Sequence, residues 1–141
     1  MIANRGYPKD VHVTTKIDQY VRQLESLKSK PIARTTSLLD SRTHRIRCNE
    51  CTFGNLVTDS VRELCQCDVV IVQGGCIRGD QTYPPGTVIT YYDINREFPF
   101  PNAITVYRLK GSDLVDALEE GIRCLPSRSG CFPQIAGQHR Q

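Results

Sequence analysis

The stretch Asp68-Val69-Val70-Ile71-Val72-Gln73-Gly74-Gly75-Cys76-Ile77-Arg78 decides how this chain is read. Its continuous run of β-branched residues predicts a central, buried strand. The two glycines that end the run lack a Cβ, so backbone amides there can approach a ligand closely. Successive amides in such a turn form an anion-binding concavity. Arg78 adds a planar, permanently charged fork whose geometry suits phosphate. A strand that runs into glycines can equally be a purely structural turn, so the surrounding sequence has to decide.

Upstream, Thr14 or Thr15 caps a predicted helix that runs to about Ser29, with Ile17, Tyr20, Val21, Leu24 and Leu27 at helical spacing. Pro31 stops it, and Ile32 to Leu39 reads as a strand. An arginine-bearing loop over residues 40–50 leads to a helix from about Thr52 to Gln66, expected to bury Leu56, Val57, Val61, Leu64 and Cys65. Downstream, residues 79–86 read as a surface loop. Thr90 caps a short helix through Asn95. Ile104, Val106 and Leu109 mark a strand over 103–109. Ser112 caps a helix to Cys124, expected to bury Leu114, Val115, Leu118 and Ile122. Cys131 to Ala136 is the last strand. Helices and strands alternate, which predicts an α/β domain with a layered mixed sheet and flanking helices.

The 141 residues suffice for one domain with a real core. A net charge of +3 is too small to argue for a nucleic-acid partner, and no apolar stretch approaches the length of a membrane span. Seven cysteines, an odd number, with no signal-peptide core in Met1 to Lys9, favour a reducing compartment and a cytoplasmic location.

Further motifs flank the glycine stretch in fixed order. They are Arg47-Cys48-Asn49-Glu50-Cys51-Thr52-Phe53-Gly54-Asn55-Leu56-Val57-Thr58-Asp59, Gly86-Thr87-Val88-Ile89-Thr90, Phe98-Pro99-Phe100-Pro101-Asn102, Leu109-Lys110-Gly111 and Ser129-Gly130-Cys131-Phe132-Pro133-Gln134. Together they resemble the C-terminal domain of the 5'-nucleotidase family, whose pattern reads roughly E-x3-GN-L-x-x-D, NGGGIR, G-x-IT, PF-x-N, KG and SG-x-F-x-Q. The resemblance runs from about Arg47 to Gly137. It implies that residues 1–40 hold a lead-in, the linker helix and a first strand. Residues 41–141 are then the C-terminal-like domain, expected to stop short of the family's later strands and its GGDGF-like segment.

The resemblance also implies roles. Arg47 and Arg78 match arginines that hold the substrate phosphate, and a phosphate dianion calls for bidentate, charge-assisted donors. Phe100 matches a phenylalanine that stacks on the nucleobase, and Asn102 an asparagine that contacts substrate. Gly75 lies in the phosphate turn. Two positions depart from the pattern. Gln73 stands where the family has Asn, and its extra methylene shifts the contact by over ~1 Å. Cys76 replaces a glycine and brings a Cβ into the turn.

Asp10-Val11-His12 spells the D-x-H with which metallophosphoesterase domains begin, but only His44 and His139 accompany it, so it reads as coincidence. Cys48-x2-Cys51 followed by Cys65-Gln66-Cys67 lacks a second well-formed knuckle for zinc. A Cys48–Cys51 disulfide or free thiols fit better.

By resemblance, then, the chain is expected to be the substrate-recognition part of a 5'-nucleotidase-like phosphomonoester hydrolase, with a nucleoside monophosphate or similar phosphomonoester as partner. No cofactor is expected in this chain. The family's two divalent metals belong to a catalytic domain that these residues do not include. Self-association through an exposed sheet edge is expected. Two alternatives are a non-enzymatic nucleotide- or phosphate-binding module, and a fragment or splice product without function.

Overall fold

A computed structural model describes residues 9–28 and 30–137. The lead-in with Gly6 and Pro8, the side chains of Leu24 and Leu27, and the terminal Gln138-His139-Arg140-Gln141 lie outside the described residues. The elements are α1 (Val11–Lys28), β1 (Pro31–Arg34), β2 (Leu39–Asp40), α2 (Thr43–Ile46), α3 (Thr52–Cys65), β3 (Val69–Gln73), a 3-10 turn (Gly74–Cys76), β4 (Thr82–Tyr83), β5 (Val88–Thr90), α4 (Tyr91–Glu97), α5 (Gly111–Ile122) and β6 (Pro133–Gly137).

The α/β class is as expected. Among the described residues the sheet is built as three separate antiparallel pairs, β1–β5, β2–β4 and β3–β6. β3 has the single partner β6, with Val69 opposite Gly137 and Gln73 opposite Pro133. It is therefore half-buried rather than central, and Ile71 is exposed. The loop over 79–86 contains β4, whose Tyr83 is buried.

Local chemistry sets the helix ends. α1 begins earlier than the threonines suggest, because Asp10 caps it. The Val13 amide donates to Asp10 Oδ1 at 3.0 Å. Asp10 of the D-x-H triplet thus has a structural use. Thr90 does cap α4, in a reciprocal box with Asp93. The Thr90 amide donates to Asp93 Oδ2 at 2.8 Å, and the Asp93 amide donates to Thr90 Oγ1 at 3.3 Å. Ser112 lies inside α5, whose first residue is Gly111.

The core comprises Leu39, Ile46, Cys51, Phe53, Ile77, Tyr83 and Ile89, with Val57, Val72, Ile94 and Phe98 packed against it. Phe53 is its centre, with ring centroids 5.9 Å from Tyr83 and 6.3 Å from Phe98. α3 presents Phe53, Gly54 and Thr58 inward, while Leu56 and Leu64 are exposed. Apolar periodicity misplaces the inward face because Gly54 and Thr58 do not register as apolar.

Residues 103–109 form no strand and are exposed throughout. α5 has no buried residue; Leu114 and Leu118 are half-buried, and Val115 and Ile122 exposed. An alternating pattern supplies a face, but a strand also needs a neighbour to pair with. Among the described residues, no helix is long and apolar enough to cross a membrane.

Candidate functional site

Each of the three strongest candidate residues sits beside a core anchor. Arg47 follows Ile46, Arg78 follows Ile77, and Phe100 lies two residues after Phe98. Ile46 and Ile77 belong to one cluster and Phe98 packs against it, which fixes the backbone beside each candidate residue.

The glycine turn is packed against the segment that carries Arg47. A Cβ on Gly74 would lie 2.2 Å from the Ile46 carbonyl oxygen. The Gly74 amide donates to Phe132 O and the Gly75 amide to Gly130 O, each at 2.8 Å. A Cβ on Gly75 would meet Gly130 at 2.9 Å. These glycines therefore permit close approach of the chain's own backbone. Their amides are engaged internally, which corrects the reading of them as ligand donors. The Gly75 carbonyl accepts from Arg78 Nη1 at 3.2 Å. Cys76 fits the 3-10 turn without a positive φ.

Asp80 ties the two arginine segments together. Its carboxylate accepts the Thr43 amide at 2.7 Å, at the start of the short helix α2, which Arg47 follows directly. That bond holds the Asp80 carboxyl below its ordinary range. Gln134 of β6 fixes the other side. Its Nε2 donates to Ile46 O at 3.0 Å and Asn49 O at 2.8 Å, and its Oε1 accepts the Cys51 amide at 3.0 Å. Arg47 thus lies between two carbonyls held by one buried amide side chain.

The arginines divide into two groups. Arg42 donates to Asp40 through Nε at 3.0 Å and Nη2 at 2.7 Å, and Arg45 lies 3.9 Å from the same carboxylate. Arg47 and Arg78 make no ion pair among the described residues. Arg47 Nε is buried with no hydrogen-bond partner, as is Arg62 Nε on α3. Arg78 lies over the Phe100 ring, 5.9 Å from its centroid, within cation–π range. Phe100 is 54% exposed. The Asn102 amide donates to Phe100 O at 2.8 Å, and Asn102 itself is exposed. Gln73 is exposed at the end of β3, and no hydrogen bond among the described residues links its side chain or that of Asn102 to either arginine.

All seven thiols are free. Cys48 Sγ donates to His44 O at 3.1 Å, and burial pushes the Cys51 thiol up. Among the described residues, no group of three or more His, Cys, Asp or Glu side chains is placed to hold a metal. A shallow cavity of about 330 Å³ at the end of α3 is lined by Asp59, Arg62, Glu63, Gln66, Cys67 and Asp68, and neither site arginine lines it.

Sequence reasoning missed Glu97, Asp80 and the clamping role of Gln134. Gln134 belongs to a recognised motif, whereas nothing near Glu97 distinguishes it from a solvated carboxylate.

The model of the 5'-nucleotidase C-terminal domain matches residues 31–140. The chain is 30% identical over 131 residues to a trifunctional nucleotide phosphoesterase protein of Bacillus subtilis, covering 86% of this chain and 8% of that protein. It is 28% identical over 149 residues to the 5'-nucleotidase of Mus musculus, covering 99% of this chain and 26% of that one. Among solved structures, the 5'-nucleotidase precursor from Thermus thermophilus superposes with a TM-score of 0.76 at 27% identity, over 92% of this chain and 25% of that chain. The chain therefore spans about a quarter or less of the length of these relatives. With the motifs in order, the family model matched over most of the chain and the fold shared, this chain belongs to the 5'-nucleotidase C-terminal domain family.

Proposed function

We propose that this chain is the substrate-recognition part of a 5'-nucleotidase-like phosphomonoester hydrolase, with Arg47 and Arg78 as its phosphate ligands. The observation that carries the reading is the division of the arginines. Arg42 is paired with Asp40 and Arg45 lies at the edge of that contact, while Arg47 and Arg78 make no ion pair among the described residues and Arg47 Nε is a buried donor without a partner. A buried donor left unpaired costs about 1–3 kcal/mol, and such exceptions call for a functional explanation. A phosphate oxygen would relieve it. The exposed surface of Phe100 offers a base a stacking platform that tolerates any base. Gln73 and Asn102 are exposed amides suited to hydroxyl or base contacts. The relatives' own names, 5'-nucleotidase and nucleotide phosphoesterase, support a nucleotide as the substrate class.

On the family resemblance, the same reading gives these residues the recognition of the ester rather than its cleavage. Calorimetry of the chain with AMP and with inorganic phosphate tests the recognition role. Arg47→Ala and Arg78→Ala are each expected to weaken both ligands by roughly 1.5–3 kcal/mol, the range for a charge-assisted contact. Affinity unchanged in both variants would remove the arginines from the site. Metal-dependent release of phosphate from AMP by the purified chain, abolished by EDTA, would overturn the restriction to recognition.

A further inference from the structure

Glu97 is a fully buried carboxyl group at the end of α4. Its Oε1 accepts from the Ser41 hydroxyl at 2.7 Å and the Tyr83 hydroxyl at 2.8 Å, and its Oε2 accepts the Gly79 amide at 2.9 Å. Its main-chain carbonyl accepts the Arg78 amide at 2.8 Å. Gln81 closes the ring: its amide donates to Ser41 Oγ at 3.2 Å and its side chain to the Tyr83 hydroxyl. One residue therefore grips two consecutive amides of the arginine loop, from both its side chain and its backbone. Gly79 makes the grip possible, since a Cβ there would lie 2.1 Å from the Glu97 carboxyl. Three residues further along the same chain stands Phe100, the ring under the Arg78 guanidinium.

We propose that Glu97 is a positioning residue of the candidate site, holding the Arg78-Gly79 backbone so that the guanidinium lies over Phe100 and faces a phosphate ligand. The inference rests on the phosphate-binding reading given above, but the grip itself is a property of the free chain. Burying a carboxyl group has a large desolvation cost. Here every bond of that group is directed at the arginine loop or at the hydroxyls that hold the group in place. The core around it is already filled by Phe53, Tyr83 and Phe98, so packing alone does not call for a carboxyl at this position.

The test compares wild type with Glu97→Gln, Glu97→Ala and the volume-filling Glu97→Met. The first readout is ligand-free NMR of the Arg78 side chain, whose δ protons feel the Phe100 ring current. The upfield shift is expected in wild type, lost in Glu97→Ala and Glu97→Met, and kept in Glu97→Gln. The glutamine oxygen can still accept the Gly79 amide while its NH2 faces the two hydroxyl oxygens. The second readout is affinity for AMP, expected to fall roughly tenfold or more in the alanine and methionine variants and to be rescued in glutamine. If Glu97→Ala does not fold, Glu97→Met decides. An unchanged ring-current shift in a folded Glu97→Ala or Glu97→Met chain overturns the positioning role, whatever the ligand does. A lost shift in a chain whose AMP affinity is also insensitive to Arg78→Ala upholds the grip and overturns the phosphate-binding reading instead.

Discussion

Asp40 and Glu97 have opposite electrostatic settings, and together they shape how stability depends on pH. The hydrogen bonds from Arg42 hold the Asp40 carboxyl below its ordinary value of 3.8. Below that value the unfolded chain takes up a proton before the native one does. The stabilisation from Asp40 is therefore present above about pH 3.8 and is lost as pH falls through the native value. Glu97 is pushed the other way by burial, against the bonds from Ser41, Tyr83 and Gly79 that partly offset it. Here the native chain holds the proton more tightly, so stability falls as pH rises from the ordinary 4.5 through the raised native value. Thermal melts across this range should show both limbs, with Asp40→Asn flattening the acid side and Glu97→Gln the other. An Asp40→Asn chain that tracks wild type throughout would show that the Arg42 pair has no energetic role. At this scale the sequence nominates Arg47, Arg78 and Phe100, because each stands in a family motif. It is silent on Glu97, because one sequence does not say which charged residues are buried.

The elements are locked to one another by β6 and α3 more than by sheet area. Gln134 reaches from β6 to the end of α2 and the start of α3, and Gly54 leaves the space it occupies. A Cβ on Gly54 would sit 2.2 Å from Gln134 Oε1. Gly54→Ala gains about 1 kcal/mol of helix propensity. It loses more through overpacking at about 1–3 kcal/mol, and again through any buried bond of Gln134 that breaks. A net loss of roughly 1–4 kcal/mol in urea unfolding is the expected outcome. In a Gln134→Ala background the clash is gone and the same substitution should stabilise by up to about 1 kcal/mol, so a double-mutant cycle separates the two terms. Additive effects would mean that Gly54 and Gln134 are not coupled. Elements with local signals are readable beforehand: the run Val69 to Val72 gives β3, and Thr90 with Asp93 gives the start of α4. The stretch over 103–109 is not, since alternation is local while pairing is a property of the neighbour, which Ile104 and Val106 do not name.

Across the whole molecule, burial is uneven. Residues from Leu39 to Ile89 supply the cluster around Phe53, and β6 closes over it. The run from Pro101 to Lys110 is exposed throughout, with Ile104 at 57%, Val106 at 67% and Tyr107 at 73%, and α5 adds exposed Val115 and Ile122. We propose that this apolar surface makes the chain self-associate. Scattered exposed hydrophobics are ordinary, but a run that pairs with no strand among the described residues and exposes Ile104, Val106 and Leu109 is a template for pairing with another chain. Sedimentation velocity across the micromolar range should show a mass that rises with concentration. Ile104 and Val106 stand two apart, so they would share one face once the run pairs as a strand. A combined Ile104→Lys and Val106→Lys chain should stay monomeric, because charge on an edge opposes such pairing. Its melting temperature at low concentration should match wild type, since neither residue is buried in the monomer. Association that survives both lysines would move the contact to another face, with the exposed Ile17 and Tyr20 of α1 the next to alter. A wild-type chain that stays monomeric at every concentration would show that the exposed run does not pair, and the self-association proposal would fall.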